Sequence, residues 1–190
     1  MTIATAHTAT QTTILPAGTW NVDLSHSGIE FSVRHLMISK VKGSFKTFSG
    51  TVTVPEDPFQ ATIDVSIDPN SIDTGDAARD QHLRSADFFE VEKYPVAEYR
   101  SSGVRADGDG YVVDGQLTLH GVTLPVALNL EFSGVGGDPW GNTRAGFSAT
   151  TEINRRDFGI DIIMPLETGG VVVGDKIKLA IDVELVLAAS

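Results

Sequence analysis

The stretch KIKLAIDVELVL, residues 176–187, sets Ile177, Leu179, Ile181, Val183, Leu185 and Leu187 at every second position, against Lys178, Ala180, Asp182, Glu184 and Val186. Side chains of an extended strand point alternately to its two faces, so a period of two over this length reads as a strand with one buried and one wet face. GIEFSVRHLM, from Gly28, repeats the pattern with Ile29, Phe31, Val33, His35 and Met37 against Glu30, Ser32 and Arg34. FQATIDVSID opposes Ala61, Ile63, Val65 and Ile67 to Thr62, Asp64, Ser66 and Asp68. LPVALNLEF opposes Val126, Leu128, Leu130 and Phe132 to Ala127, Asn129 and Glu131.

Weaker strand patterns cover Trp20 to Leu24, Val41 to Val54, Tyr94 to Ser102, Tyr111 to Leu119 and Arg144 to Asn154. Turn chemistry separates them at residues 55–58, 107–110, 120–121 and 136–139, where Pro, Gly and Asp gather. The total is about eight or nine strands, joined mostly as hairpins. Such strands must either pack on a second sheet or close on themselves. The strongest run ~9–13 residues against the usual ~5–6, which favours closure into an all-β, eight-stranded antiparallel barrel. Large inward residues mixed with Ala61, Ala149 and Gly115 leave room for an internal cavity. Gly43, Gly50, Gly115 and Gly146 sit inside strand patterns and are expected at bulges or bends.

One segment, residues 73–89, lacks the period of two. Asp76 reads as an N-cap for a short helix from Ala77 to about Arg84, and residues 154–158 as a further single turn. The 190 residues fit one domain, and no Cys supplies a staple. A net charge of −11 repels phosphate backbones, which argues against nucleic acid as a partner. The first 14 residues are rich in Thr and Ala and hold neither Lys nor Arg nor a signal-peptide apolar run. Residues 1–17 are therefore expected as a flexible tail before a domain of residues 18–190. No stretch approaches the ~18 apolar residues of a transmembrane helix, and the expected location is cytoplasmic.

Several motifs are more specific. Trp20-Asn21-Val22-Asp23 precedes Ser25-His26-Ser27, and Val41-Lys42-Gly43-Ser44-Phe45 follows. Further on come Arg79-Asp80-Gln81-His82-Leu83-Arg84, then Ser85-Ala86-Asp87-Phe88-Phe89, Tyr94-Pro95 and Leu117-Thr118-Leu119-His120-Gly121-Val122-Thr123. In order and spacing these closely resemble the YceI-like family of polyisoprenoid-binding proteins, from about Gly18 to the C-terminus. The resemblance implies a lipocalin-like barrel with a short helix beside it. It also implies an elongated internal pocket for a polyprenyl diphosphate, a quinone tail or a fatty-acid derivative, no other cofactor, and a homodimer.

Phe31, Val33, Phe45, Ile63, Val65, Leu128, Leu130, Phe147, Ile181 and Val183 occupy apolar faces, as plain core or as pocket lining. His35 interrupts one such face; it is either a core histidine bonded to backbone or a group placed for a ligand head. His82 and Arg84 belong to the helix, with Arg79 and His82 on one of its faces and Asp80 and Arg84 paired on another. They are surface groups, or they meet a diphosphate or carbonyl at a tunnel mouth capped by Leu83, Phe88 and Phe89. Arg34, Arg144, Arg155 and Arg156 are the other candidate head-group ligands, with solvated surface as the default reading of each. His26, His35, His82 and His120 form no tight metal-ligand motif, and no nucleophile stands beside an evident base, so neither a metal nor catalysis is expected. The leading expectation is a carrier or sequestering protein for an isoprenoid-like lipid. The rivals are an enzyme using the same cavity, with His35 as its opening, and a stress-related interaction module with a structural lipid.

Overall fold

The computed structural model describes residues 15–36, 38–163 and 172–189. Residues 1–14 of the expected tail, Met37, residues 164–171 and Ser190 lie outside the described residues. Eleven strand segments follow in order: β1 (Gly18–Val22), β2 (Gly28–His35), β3 (Ser39–Phe45), β4 (Phe48–Val54), β5 (Thr62–Ile67), β6 (Ile72–Asp73), β7 (Ala97–Asp107), β8 (Gly110–Leu119), β9 (Val122–Gly137), β10 (Thr143–Asn154) and β11 (Val173–Leu187). Hydrogen bonds run β1-β4-β5-β7-β8-β9-β10-β11, and β11 returns to β1, with Trp20 opposite Leu187 and Val22 opposite Leu185. Eight antiparallel staves close a barrel.

Three staves are interrupted. β2 continues β1 along β11, β3 runs into β4, and β6 continues β5. The breaks are local and specific. Asp23 caps the 3-10 turn Leu24–His26, and Asp68 caps the 3-10 turn Pro69–Ser71, each carboxylate accepting a backbone N–H. Between β3 and β4, Lys46 N donates to Ser71 O at 3.2 Å and Thr47 N to Ser71 Oγ at 2.9 Å. Neighbouring staves thus bend together, and the continuous strand expected over Val41 to Val54 is broken at Lys46 and Thr47.

The helix α1 (Ala77–Arg84) starts where expected, with the Asp76 carboxylate accepting from Ala78 N at 3.1 Å and Arg79 N at 3.0 Å. It stands beside β6, at the end of the barrel that also carries the β2–β3 turn, the β8–β9 turn and the 3-10 turn Arg155–Phe158. The opposite end carries residues 15–17, 55–61, 108–109 and 138–142. A buried cluster holds each half: Val113, Leu117, Ile153 and Phe158 toward the helix, and Trp20, Val54, Ala145 and Leu185 away from it. Trp20 is fully buried and donates Nε1–H to Pro16 O at 3.0 Å. Among the described residues no helix is long and apolar enough to cross a membrane.

Two of the strand glycines meet bulges, as expected. Gly146 sits at a register shift, where Gly146 faces Gly134 but Phe147 faces Phe132, so Ser133 is the extra residue of a bulge. Gly115 faces a second one: Ser101 faces Gly115 but Gly103 faces Asp114, so Ser102 is the extra residue. Gly43 and Gly115 are also seats for aromatic rings. A Cβ on Gly115 would lie 2.4 Å from the Tyr99 hydroxyl and 2.7 Å from Arg100 O, and one on Gly43 2.5 Å from Phe31 Cζ. The buried Tyr99 hydroxyl is shared between Val113 O at 3.2 Å and Val126 O at 3.1 Å, and burial, with Asp114 nearby, pushes its pKa up to about 12. Gly115→Ala is therefore expected to lower stability by about 1–3 kcal/mol through overpacking. Urea unfolding checks this, and a second change, Tyr99→Leu, should cancel part of the loss because it frees the space above residue 115.

Candidate functional site

Closing eight staves leaves a space that the inward side chains do not fill. A cavity of about 500 Å³ is lined from one end of the barrel to the other. Leu83, Phe88, Phe89 and Ile160 border it at the helix end, and Leu15, Pro58, Phe59 and Tyr111 at the far end. Its wall is aliphatic and aromatic but for Thr51, Asp57, Tyr99, Tyr111, Thr151 and Arg155. Rings gather at both ends: Phe31 to Phe45 at 5.7 Å and Phe45 to Phe89 at 5.9 Å near the helix, Phe59 to Tyr111 at 6.3 Å opposite. The two charged lining residues are at opposite ends, Asp57 far from the helix and Arg155 near it.

Of the residues singled out in the sequence, Phe31, Val33, Phe45, Ile63, Val65 and Phe88 line this cavity, as do Leu128, Leu130, Phe147, Ile181 and Val183. His35, His82 and Arg84 do not. His35 is half-buried at the tip of β2, where the sheet register slips: Val33 faces Ile177, but His35 faces Val173. His82 turns to solvent, its Nε2 2.8 Å from Asp87 Oδ2 and its ring edge-on to Phe88. The Arg84 guanidinium donates to Asn70 O at 2.7 Å and Ile72 O at 2.8 Å.

The expected Asp80–Arg84 pair is replaced by another arrangement. Asp80 is buried and accepts from Thr74 N at 2.9 Å and Thr74 Oγ1 at 2.5 Å, while Arg79 donates to Thr74 Oγ1 at 2.7 Å and Thr74 O at 3.0 Å. These bonds fasten the helix to residues 70–74, with Asp80 accepting from Thr74, and Arg79 and Arg84 donating to backbone carbonyls, while Leu83 faces the cavity.

Arg155, which reads in the sequence as a solvated residue, is buried in the wall of the cavity. Its Nε donates to Gly174 O at 3.1 Å, Nη1 to Ile160 O at 2.6 Å, and Nη2 to Asp175 Oδ1 at 2.9 Å. Arg156 reaches the same carboxylate oxygen at 2.8 Å, so two cations share one anion. Burial holds the Arg155 pKa below its ordinary value, with Asp175 opposing that shift. The only signal for this role in the sequence is position, directly after the Asn154 cap at the end of a long strand.

His120 clamps the same end. Its Nδ1 donates to Phe158 O at 3.1 Å, its ring packs 4.5 Å from Tyr94, and Nε2 is buried without a hydrogen bond, 3.7 Å from Glu90 Oε2. Tyr94 covers Gly121 so closely that a Cβ there would lie 2.5 Å from the ring.

A comparison with known families decides the lineage: residues 20–185 match the model of the YceI-like domain. The chain belongs to the YceI-like family. It is 48% identical over 136 residues to an UPF0312 protein of Pectobacterium atrosepticum, covering 71% of each chain. The protein YceI of Escherichia coli O157:H7 is 46% identical over 136 residues, again 71% of each. Among solved structures, the Campylobacter jejuni YceI protein superposes with a TM-score of 0.69 at 31% identity, over 82% of this chain and 90% of that one. Burkholderia cenocepacia BcnA superposes with a TM-score of 0.74 at 24% identity, over 86% and 98%. A polyisoprenoid binding domain from Saccharophagus degradans shares the fold, with a TM-score of 0.62 at 18% identity, over 89% and 98%. The motifs that carry the YceI-like resemblance thus hold the barrel together: Trp20 fills one end, Gly43 seats a ring, Asp80 and Arg84 fasten the helix, and His120 clamps a turn.

One group of side chains outside the cavity has the composition of a cation site. Asp23, His26 and Glu184 converge, and Arg144 supplies the cation: Nη1 is 2.6 Å from Asp23 Oδ2 and 2.5 Å from Glu184 Oε1, and Nε is 2.7 Å from Asp138 Oδ2. Asp23 is held well below the usual carboxylate range by the Ser25 hydroxyl, Arg144 and His26, and Asp138 by Arg144 and Asn142. Carboxylates with depressed pKa stabilise the fold above their ordinary value of 3.8, and that contribution is lost as pH falls toward the folded value. Arg144→Gln should consequently destabilise the protein most at pH 7, with the gap to the parent narrowing between about pH 5 and pH 3. Urea unfolding at each pH checks this; a gap that does not change with pH would remove the ionic account. Arg155→Gln should lower stability by about 2–3 kcal/mol, because buried carbonyls lose their donor. Hydrogen exchange at Ile160 and Gly174 should quicken alongside.

Proposed function

We propose that this protein binds one long apolar chain of an isoprenoid or fatty lipid inside the barrel, in transport, storage or sequestration of that lipid. The observation that carries the reading is the continuous apolar cavity between the two ends. At roughly 30 Å³ for a water-sized group, a cavity of about 500 Å³ takes on the order of fifteen to twenty such groups. Each buried CH₂ contributes about 0.8 kcal/mol, so ten give about 8 kcal/mol, a micromolar affinity before the chain's ordering is subtracted. A preformed wall adds little ordering cost on the protein's side.

The ends differ in charge, which orients the ligand. A diphosphate or carboxylate head is repelled by Asp57 and attracted by Arg155 and Arg156, which share Asp175. A guanidinium carries five N–H donors and suits oxyanions. The head group therefore sits at the helix end and the tail points to Phe59 and Tyr111. The shared fold with a polyisoprenoid binding domain supports the same class of ligand. Catalysis finds little support: His35 is not in the cavity wall, and the charged lining residues, Asp57 and Arg155, stand at opposite ends.

Ala149 faces the middle of the cavity, between Leu130 and Ile181 in register. Ala149→Phe should fold and yet bind a fluorescent prenyl or fatty-acyl probe of about sixteen carbons at least tenfold more weakly, with a short-chain probe less affected. Native mass spectrometry of protein from its own host, with solvent extraction, should release one lipid per chain. Protein that is reproducibly lipid-free and takes up neither probe would overturn the reading.

A further inference from the structure

Basic residues are in the minority in this chain, which carries a net charge of −11. Five of them nevertheless share one surface. Arg34, Lys40, Lys42, Lys176 and Lys178 are all exposed, on the outer face of β2, β3 and β11 toward the helix end. The register sets Arg34 directly opposite Lys40, and places Ser32 between Lys42 on one side and Lys178 on the other. Like charges directly opposite each other weaken a sheet, so the stability of the free barrel gives no reason for this grouping. Lysine on an edge strand blocks unwanted pairing. That accounts for Lys40 and Lys42 on β3, and Lys178 is directly opposite Glu152 on β10, which also binds Lys176 at 2.8 Å; neither accounts for Arg34, whose strand is paired on both sides. Glu30, two residues from Ser32 on the same face, and Asp175, bound to Arg155 and Arg156, are the other acids of these strands near the cations.

Apolar side chains project from the same end. Ile38, at the tip of the β2–β3 turn, is 83% exposed, and Ile163, in the segment that leaves Ile160, is 59% exposed. Ile160 and Phe89 border the cavity just inside. Ile38 stands between Arg34 and Lys40, while the exposed Asp161 precedes Ile163. An apolar tip flanked by cations, as Ile38 is, fits the headgroup boundary of an anionic bilayer, where the tip enters and the cations meet lipid phosphates. Trp140 and Phe59 are exposed at the far end, Trp140 beside Asp138, Phe59 beside Asp57, with the acidic turn Asp107–Asp109 at the same end, and an anionic surface repels these carboxylates.

We infer that the helix end docks on anionic membranes through Ile38, Ile163 and the cationic stripe, so that the cavity opens toward the bilayer. The passage of lipid between cavity and bilayer rests on the ligand proposed above; the docking itself rests on the surface alone.

Flotation with vesicles of phosphatidylcholine alone, or with about a third phosphatidylglycerol, tests it. The protein should float with the anionic vesicles, less so at raised salt, which shortens the Debye length. Each cation near such a surface multiplies affinity roughly fivefold, so Lys40→Gln with Lys42→Gln should weaken binding on the order of 25-fold. Ile38→Ser should weaken it further, and Trp140→Ser should not. Equal binding to neutral vesicles, no binding to either, or loss only with Trp140→Ser would overturn the inference. So would a stripe whose neutralisation abolishes capture of an acidic protein while vesicle binding persists. Probe uptake from solution, measured on the same variants, separates the two ideas. Docking variants that keep uptake support a distinct surface. A parent protein that floats but takes up no probe contradicts the ligand and leaves the docking in place.

Discussion

The pairing of β1 with β11 is the constraint from which the rest follows. Trp20, Asn21 and Val22 meet Leu187, Val186 and Leu185, and with these rungs the sheet has no free edge along the closed ring. Eight staves fix the circumference, and the circumference fixes an interior just wide enough for side chains or one small ligand. The cavity is thus not a packing defect to be relaxed away. Collapsing it would mean breaking backbone hydrogen bonds around the ring, each of which would then leave a buried donor and acceptor unpaired. The apolar wall follows from the same closure, because every second residue of every stave must face inward.

A closed ring still has to bend and end, and the polar residues are concentrated there. Asp23 and Asp68 cap the turns that interrupt two staves, and Asp76 caps the helix. Arg144 gathers Asp23, Glu184 and Asp138 at one end, and Arg155 gathers Gly174, Ile160 and Asp175 at the other. Most of these bonds turn away from the cavity. That division lets the interior remain apolar while the turns named here are tied by hydrogen bonds and ion pairs.

Strand identity was legible in the sequence because the period of two is a direct image of the pleat. Phe31, Val33, Leu128, Leu130, Ile181 and Val183 therefore fall on the cavity wall as their alternation requires. The helix was legible for a similar reason, since the Asp76 cap is a local bond between residues two and three apart. His35 keeps the alternation of β2 but is the last residue of that strand, beyond the part of the wall that lines the cavity, and where a strand stops relative to the cavity is not written in its period. Arg84 and Arg155 fail in opposite directions. Each is satisfied in part by carbonyls distant in sequence, Arg84 by Asn70 and Ile72, Arg155 by Gly174 as well as by nearby Ile160, and no local pattern encodes which carbonyls will be near. Gly115 reads in sequence as a bend and faces a bulge, but the rings of Phe31 over Gly43 and Tyr99 over Gly115 are a second reason that only the neighbouring strand reveals.

The two ends of the barrel now have separate physical characters. At the far end Phe59 is 43% exposed while lining the cavity, and Asp57 stands beside it, so this end offers an aromatic cover and a negative charge. At the helix end Phe88 and Phe89 cover the cavity from a segment pinned by His120 and Tyr94. The nearest cations there are Arg155 and Arg156, with Asp175 bound to both and Asp161 close to Arg155. Under the proposed function it is Asp57, at the far end, that sets the orientation, since it repels an anionic head there while the helix end offers guanidinium groups. The cations on the outer face lie toward that same end, so under the two proposals the head group and an anionic surface are drawn to the same end of the barrel. A lipid entering there from a bilayer would meet the guanidinium groups before the apolar wall, the order in which a bilayer presents head and tail.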